Sequence, residues 1–257
     1  MHDGSANIKR REPQNCPVNM TKTTPWVGTA VDASVCIYCQ GDSSGSTNLA
    51  HSYPQCLWPN SLTLPLGAEC DRCNQYHGKL ENELLSHNRI GSVIMFRGIK
   101  GSDGPRKQVG DIKRDSKSGN ITITRPIKTA HWERGHLAVE LPNIRQLRPL
   151  AFKRALFHIG FNHFALLHGV DVALDSRFDA VRSFVRYGTR PKKWVYGQFC
   201  YPDDTQRREL GLHTVQWAPG IMIQIKTYID DFYVELTGDV DVSEWVRTTL
   251  PSSAGVL

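Results

Sequence analysis

The chain has 257 residues, is 40% hydrophobic and carries a formal charge of +6 with a pI near 9.0. That is enough apolar content for one large or two small cores, and no run reaches the ~18 apolar residues of a membrane-spanning helix. The positive charge suits a polyanionic partner.

Residues 1–30, opening MHDGSANIKRREPQN, are polar and read as a mobile tail. They show neither the apolar core nor the small-residue cleavage site of a secretory signal, so a reducing, cytoplasmic setting is expected. Seven cysteines are an odd number, which argues against a closed disulfide framework. Cys36 and Cys39 form one C-x-x-C pair, Cys70 and Cys73 form a second, and Cys16, Cys56 and Cys200 are scattered. Between the pairs lie a loop, GDSSGSTN at 41–48, the sequence LAHSYP, and a stretch holding Pro54, Pro59 and Pro65 that no helix interior tolerates.

A helix is expected to enter at residues 68–85, AECDRCNQYHGKLENELL, with Asp71 as its cap and Leu80, Leu84 and Leu85 at helical spacing. Residues 89–128 read as extended: IGSVIMF is an apolar run, GSDG a turn, and KSGNITITRP a turn into an alternating strand. Lys100, Arg106, Lys107, Lys113, Arg114 and Lys117 gather there, as a solvated hairpin surface or a phosphate-contacting ridge. Residues 149–168 read as a core helix that starts at Pro149 and stops before Gly169, and 175–187 as a second helix. KKWVYGQFCYP, LHTVQWAPG, IMIQIKTYI and DFYVELTGD read as strands.

Three further features have simple structural readings. YIDD at 228–231 matches a polymerase motif, yet adjacent strand aspartates face opposite ways, so a strand-end turn is expected. His158, His163 and His168 recur every five residues, as do His131 and His136; on a helix that step turns ~140°, so the first three do not share one face. RSFVRYGTRPKKW at 182–194 interleaves Arg182, Arg186, Arg190, Lys192 and Lys193 with Phe184, Tyr187 and Trp194, which suits either nucleic-acid contact or the end of an amphipathic helix.

The cysteine pattern is C-x2-C-x30-C-x2-C. Two such turns complete a tetrahedral tetrathiolate site for Zn²⁺ at Cys36, Cys39, Cys70 and Cys73, with no open position, so the ion would be structural. Downstream, Asn74, His77 and Glu81 fall within an arc of roughly 60° on the helix. Their O and N donors suit Mg²⁺, Mn²⁺ or a similar cation; a solvated helix face is the alternative. His51 can take a proton from water near neutral pH.

C-I-Y-C, then H-S-Y-P, then L-P-L-G-A-E-C-D-R-C-N-Q-Y-H-G-K-L-E resembles the HNH endonuclease family, in its four-cysteine zinc-bearing branch, over roughly residues 34–100. The resemblance implies a ββα-metal nuclease core, with His51 as general base and Asn74 as cation ligand; a loop-bracing asparagine has Asn60 as its weak counterpart. The residue before the base is usually acidic or histidine, and here it is Ala50. His77 stands where relatives more often carry an aromatic residue, and it or Glu81 is a candidate replacement ligand.

The expected fold is therefore α+β: a tail at 1–30, a zinc-stapled ββα-metal module at 31–100, and a mixed α+β recognition region at 101–257. The expected activity is metal-dependent hydrolysis of DNA phosphodiester bonds, with His51, Asn74 and His77 at the chemistry. Arg72, Lys79, Arg186, Lys192 and Lys193 are candidate nucleic-acid contacts, with RNA as a further substrate and a homodimer or larger assembly as a further expectation. The alternative is a zinc-stabilised nucleic-acid-binding protein, or a subunit of a larger assembly, that has lost cleavage through Ala50.

Overall fold

A computed structural model describes residues 32–96 with short interruptions, strand segments between 99 and 140, residues 148–200, 211–245 with interruptions, and 254–256. The tail expected at 1–30, Asn60, and Arg106, Lys107 and Lys117 of the basic cluster lie outside the described residues.

The fold is mixed α+β. Two loops lead into helix α1 (Asp71–Leu85), which buries Cys73, His77, Leu80 and Leu84. That i, i+4, i+7, i+11 spacing is one stripe of an amphipathic helix. Cys70 is the N-cap and makes no side-chain cap bond. Asp71, expected to cap, instead accepts from Thr47 N, Thr47 Oγ1 and Asn48 N, at 2.9–3.2 Å, and so pins a distant loop.

Helix α2 (Asn88–Phe96) replaces the extended run expected over IGSVIMF. Ile90 and Ile94, four residues apart, are both buried on it. Their tertiary contacts override the strand preference of a β-branched run. Short antiparallel strands follow: β1 (Lys100–Gly101) with β2 (Gly104–Pro105), a three-stranded sheet of β3 (Gln108–Val109), β4 (Ile112–Arg114) and β5 (Ile121–Ile123), and the pair β6 (Thr129–Glu133) and β7 (His136–Glu140). Gly101 pairs with Gly104 on either side of the expected GSDG turn, whose centre lies outside the described residues, and the ITI strand falls where the sequence puts it.

Helix α3 (Pro149–His168) is the centre of the fold. It begins on Pro149, ends before Gly169 and buries nearly its whole circumference from Phe152 to Ala165. A helix buried all round needs partners on several sides. Helix α4 (Val170–Ala173) and a 3-10 turn (Ser176–Phe178) lead to α5 (Asp179–Tyr187). Arg154 of α3 donates to the carbonyls of Val185 and Arg186 at the α5 C-terminus, and Gly188 closes that helix at φ 72°. A cation at this end matches the helix dipole.

The second partner is an antiparallel sheet in the order β12, β8, β11, β10, β9, made of β8 (Tyr196–Cys200), β9 (Gly211–Trp217), β10 (Gly220–Lys226), β11 (Asp230–Glu235) and β12 (Ala254–Val256). Gly160 lets α3 approach it: a Cβ there would meet Val234 Cγ2 at 2.7 Å. The YIDD aspartates open β11, and Asp230 closes a turn with Thr227, as a strand-end turn requires. One core cluster runs from Cys36 and Leu64 through Leu84, Phe152 and Phe161 to Phe232 and Val234, so the N-terminal module and the C-terminal sheet share their interior. No helix among the described residues is long and apolar enough to cross a membrane.

Candidate functional site

Both C-x-x-C pairs sit on tight turns. Residues 35–42 form a small hairpin, with a bridge from Val35 to Asp42, Cys36 N donating to Gly41 O at 3.0 Å, and Gln40 at φ 54°. The second pair spans the start of α1, where Ile37 N donates to Ala68 O at 2.8 Å and joins the two turns. Gly67 permits that approach at φ 82°, since a Cβ there would lie 2.0 Å from Ala33 O. The sulfurs of Cys36, Cys39, Cys70 and Cys73 all lie within 4.8 Å of one another. Such a group can hold a metal ion such as zinc.

Two of the sulfurs accept hydrogen bonds from N–H donors, while burial pushes the Cys70 thiol up and the hydrogen bond to Cys36, then burial, push the Cys73 thiol up. Cys70 N donates to Cys36 Sγ at 3.4 Å, and Arg186 Nη1 donates to Cys73 Sγ at 3.0 Å. The Cys73 thiol donating to Cys36 holds that thiol down at about 5 against the effect of burial. Arg186, expected to meet nucleic acid, thus reaches the sulfur cluster; its guanidinium also lies 5.9 Å from the Tyr76 ring centroid.

His51 ends the first limb of a second hairpin. It bridges Thr63, while Ser52 N donates to Leu62 O and Leu64 N to Ala50 O. Asp71 fixes the loop ahead of it through Thr47 and Asn48. Asn74 Nδ2 lies 3.4 Å from Leu49 O, two residues before His51. Asn162 of α3 donates to the His51 carbonyl at 3.2 Å, and the His51 ring Nε2 is 2.7 Å from the Gln55 amide nitrogen. Hairpin, helix and cysteine turns therefore converge on one end of α1. Ala50 is 2% exposed and belongs to the core, so its side chain faces away from solvent.

The expected grouping of Asn74, His77 and Glu81 as one set of cation ligands is not what the side chains form. His77 is fully buried, and its Nδ1 lies 2.5 Å from Glu69 Oε1. The other oxygen of Glu69 lies 3.2 Å from His158 Nε2, and His158 Nδ1 lies 3.3 Å from Glu81 Oε1. His77 and Glu81 are thus drawn into an interior cluster by Glu69 and His158. Burial alone would push the Glu69 carboxyl up, but His158 and His77 hold it below the usual carboxylate range. Burial would pull His158 down, yet the carboxylates of Glu69 and Glu81 raise it to about 9. Burial, then the charge of His158, bring His77 down to about 4. Asn162 closes the cluster: Nδ2 lies 3.4 Å from Glu69 Oε2, and Oδ1 accepts from Tyr38 Oη at 2.7 Å.

The basic residues divide. Arg72, Gln75, Tyr76, Lys79, Arg186 and Tyr187 line a cleft of about 510 Å³. At ~100° per residue, Arg72 and Lys79 lie roughly 140–160° around α1 from Asn74, so they face another side from His51's hairpin. Lys192 and Lys193 are exposed, with Lys193 Nζ 5.1 Å from the Trp194 ring centroid. Trp194 and Phe184 stack in the core and cannot receive bases; Tyr187 is exposed. Arg182 is buried and caps carbonyls of Ala173 and Asp175.

Comparison with protein-family models, with curated proteins and with solved structures gave no match.

Sequence reasoning gave His158 a simple structural reading, and it is indeed buried, but missed its partners Glu69, Asn162 and Tyr38. A signal was there for one pair: His158 and Asn162 are four residues apart and share a face of α3. Their link to Glu69, 89 and 93 residues away, carries no local mark in the chain.

Proposed function

We propose that this chain is a metal-dependent endonuclease of the HNH type, acting on DNA, with a structural zinc on Cys36, Cys39, Cys70 and Cys73. The observation that carries the reading is the hairpin and helix that bring Asn74 to the carbonyl of Leu49, beside His51. In this reading His51 takes a proton from a water through Nε2, once the Gln55 amide gives way to that water. The water oxygen bonds to phosphorus, the P–O3′ bond breaks, and the leaving oxygen takes a proton from solvent. Asn162 holds the His51 backbone and thereby the ring. Asn74 would hold Mg²⁺ or Mn²⁺ through Oδ1, with waters and phosphate oxygens completing the shell, and the ion would neutralise phosphate charge. Arg72 and Lys79 would bind the backbone away from the cut, because they lie on another side of α1 from Asn74, and the exposed Lys192 and Lys193 would add further backbone contacts. RNA binding and a homodimer belong to the same proposal.

A second reading is favoured by Ala50. No carboxylate or histidine precedes His51, and among the described residues neither metal-capable group of histidine, cysteine or carboxylate side chains includes His51. A zinc-stabilised nucleic-acid-binding protein without cleavage would have this form. A supercoiled-plasmid assay with Mg²⁺ or Mn²⁺ separates the two. The nuclease relaxes the plasmid and His51→Ala does not; a binder shifts DNA on a gel and leaves it intact with either chain.

A further inference from the structure

We propose that Glu69, His77 and His158 form a second metal centre, for a borderline divalent ion of the zinc type, inside the protein. The three side chains come from different places: the turn before α1, the middle of α1 and the middle of α3. One donor atom from each lies within 4.8 Å of the others, and all three residues are buried. A tetrahedral ion at ~2.0–2.2 Å from nitrogen and oxygen donors needs them roughly 3–3.5 Å apart. The Glu69 contacts, 2.5 Å to His77 and 3.2 Å to His158, lie within small side-chain shifts of that. Two imidazoles and one carboxylate suit zinc and its neighbours over Mg²⁺ or Ca²⁺.

A proton on His158 pairs it with Glu69 and Glu81, yet it leaves the Asn162 amide nitrogen facing the ring and His77 Nε2 buried without a hydrogen-bond partner. The Asn162 amide has its orientation fixed, because Nδ2 donates to the His51 carbonyl. That nitrogen lies 3.1 Å from His158 Nε2, which also faces Glu69 Oε2. If His158 Nε2 carries a proton for Glu69, two donors face each other in the interior. If it does not, Nε2 can accept from Asn162, but its lone pair then also faces the Glu69 carboxylate. A cation resolves both. The His158 lone pair and Glu69 bind the ion, and the two Asn162 N–H groups go to His51 O and Glu69 Oε2.

The outer groups fit as well. His158 Nδ1 lies 3.3 Å from Glu81 Oε1 without a formed hydrogen bond, and a small ring rotation would give the carboxylate–histidine–metal arrangement that orients a ligating ring. Two carboxylates, Glu69 and Glu81, balance one divalent charge when both imidazoles are neutral. The ion would staple α1 to α3. Through Asn162 it would also set the backbone of His51, so this site is structural support for the hairpin and no part of the water-activating chemistry.

The inference stands apart from the nuclease reading, since metal content is measured whether or not the chain cuts DNA. The full chain, purified without chelator and dialysed against metal-free buffer, is analysed for zinc per chain. Two equivalents are expected in the wild type, one in His158→Gln with unchanged far-ultraviolet circular dichroism, and one in Cys36→Ser/Cys39→Ser. Cobalt titration of the wild type needs no variant. Two equivalents are expected, one with a thiolate charge-transfer band and one with d–d bands alone. Saturation at one equivalent with only the thiolate spectrum overturns the proposal, as does a His158→Gln chain that still binds two.

Discussion

The Tyr38 hydroxyl holds a position that one atom's deletion tests. It is fully buried, its ionisation is pushed well above the ordinary range by that burial and then by Glu69, and it donates to Asn162 Oδ1 at 2.7 Å. Tyr38→Phe leaves a buried carboxamide oxygen without its donor, which costs about 1–3 kcal/mol. Urea unfolding should show the midpoint fall with an unchanged slope; an unshifted midpoint would contradict the role given to this bond. His77 shows what the sequence held and hid. On α1 it lies roughly 20° from Leu84 and 60° from Asn74, so the helical wheel already put it nearer the apolar stripe. Its imidazole invited a ligand role beside Asn74. Glu69, the acceptor that makes its burial tolerable, has no periodicity to announce it. Cys36, Cys39, Cys70 and Cys73 were legible because their spacing is itself the geometry of a tetrathiolate site.

At the scale of elements, α3 and the strands β8 to β11 were readable, while β12 was not expected. Pro149 and Gly169 bound the helix, and alternating apolar runs mark β8 to β11. Helix α2 was not, because IGSVIMF has the composition of a strand and becomes helical through the burial of Ile90 and Ile94. Helix α3 and β11 fit closely at Gly160, where a Cβ would lie 2.7 Å from Val234 Cγ2. Gly160→Val forces α3 away from β11 and should destabilise the chain by about 1–3 kcal/mol. Adding Val234→Ala should return part of that loss. A denaturation double-mutant cycle with purely additive effects would show that the two positions are not in contact.

Among the described residues the larger of two core clusters joins the cysteine turns, α1, α3 and the five-stranded sheet, and the smaller one, with Met222, Tyr233, Val242 and Trp245, lies against that sheet. Shared interior predicts shared unfolding: calorimetry should give a single transition. Removing metal with a strong chelator should lower that transition as a unit, because the turns that the sulfurs tie carry Ile37, Ala68 and Cys73 into the common core. Two separate peaks, or a Tm indifferent to chelation, would show that the module folds apart or that its sulfurs hold nothing. The cleft lined by Arg72 and Lys79 lies on another side of α1 from Asn74, so in the proposed nuclease the backbone contacts would occupy a different face from the cut.

The nuclease reading turns on one imidazole. The direct measurement is the initial rate of supercoiled-plasmid nicking with Mn²⁺, for the wild type and for His51→Ala at equal zinc content. Loss of a general base predicts a rate lower by about 10²–10⁴-fold, with plasmid binding retained. Equal rates in the two proteins, or no nicking by either, would contradict the account.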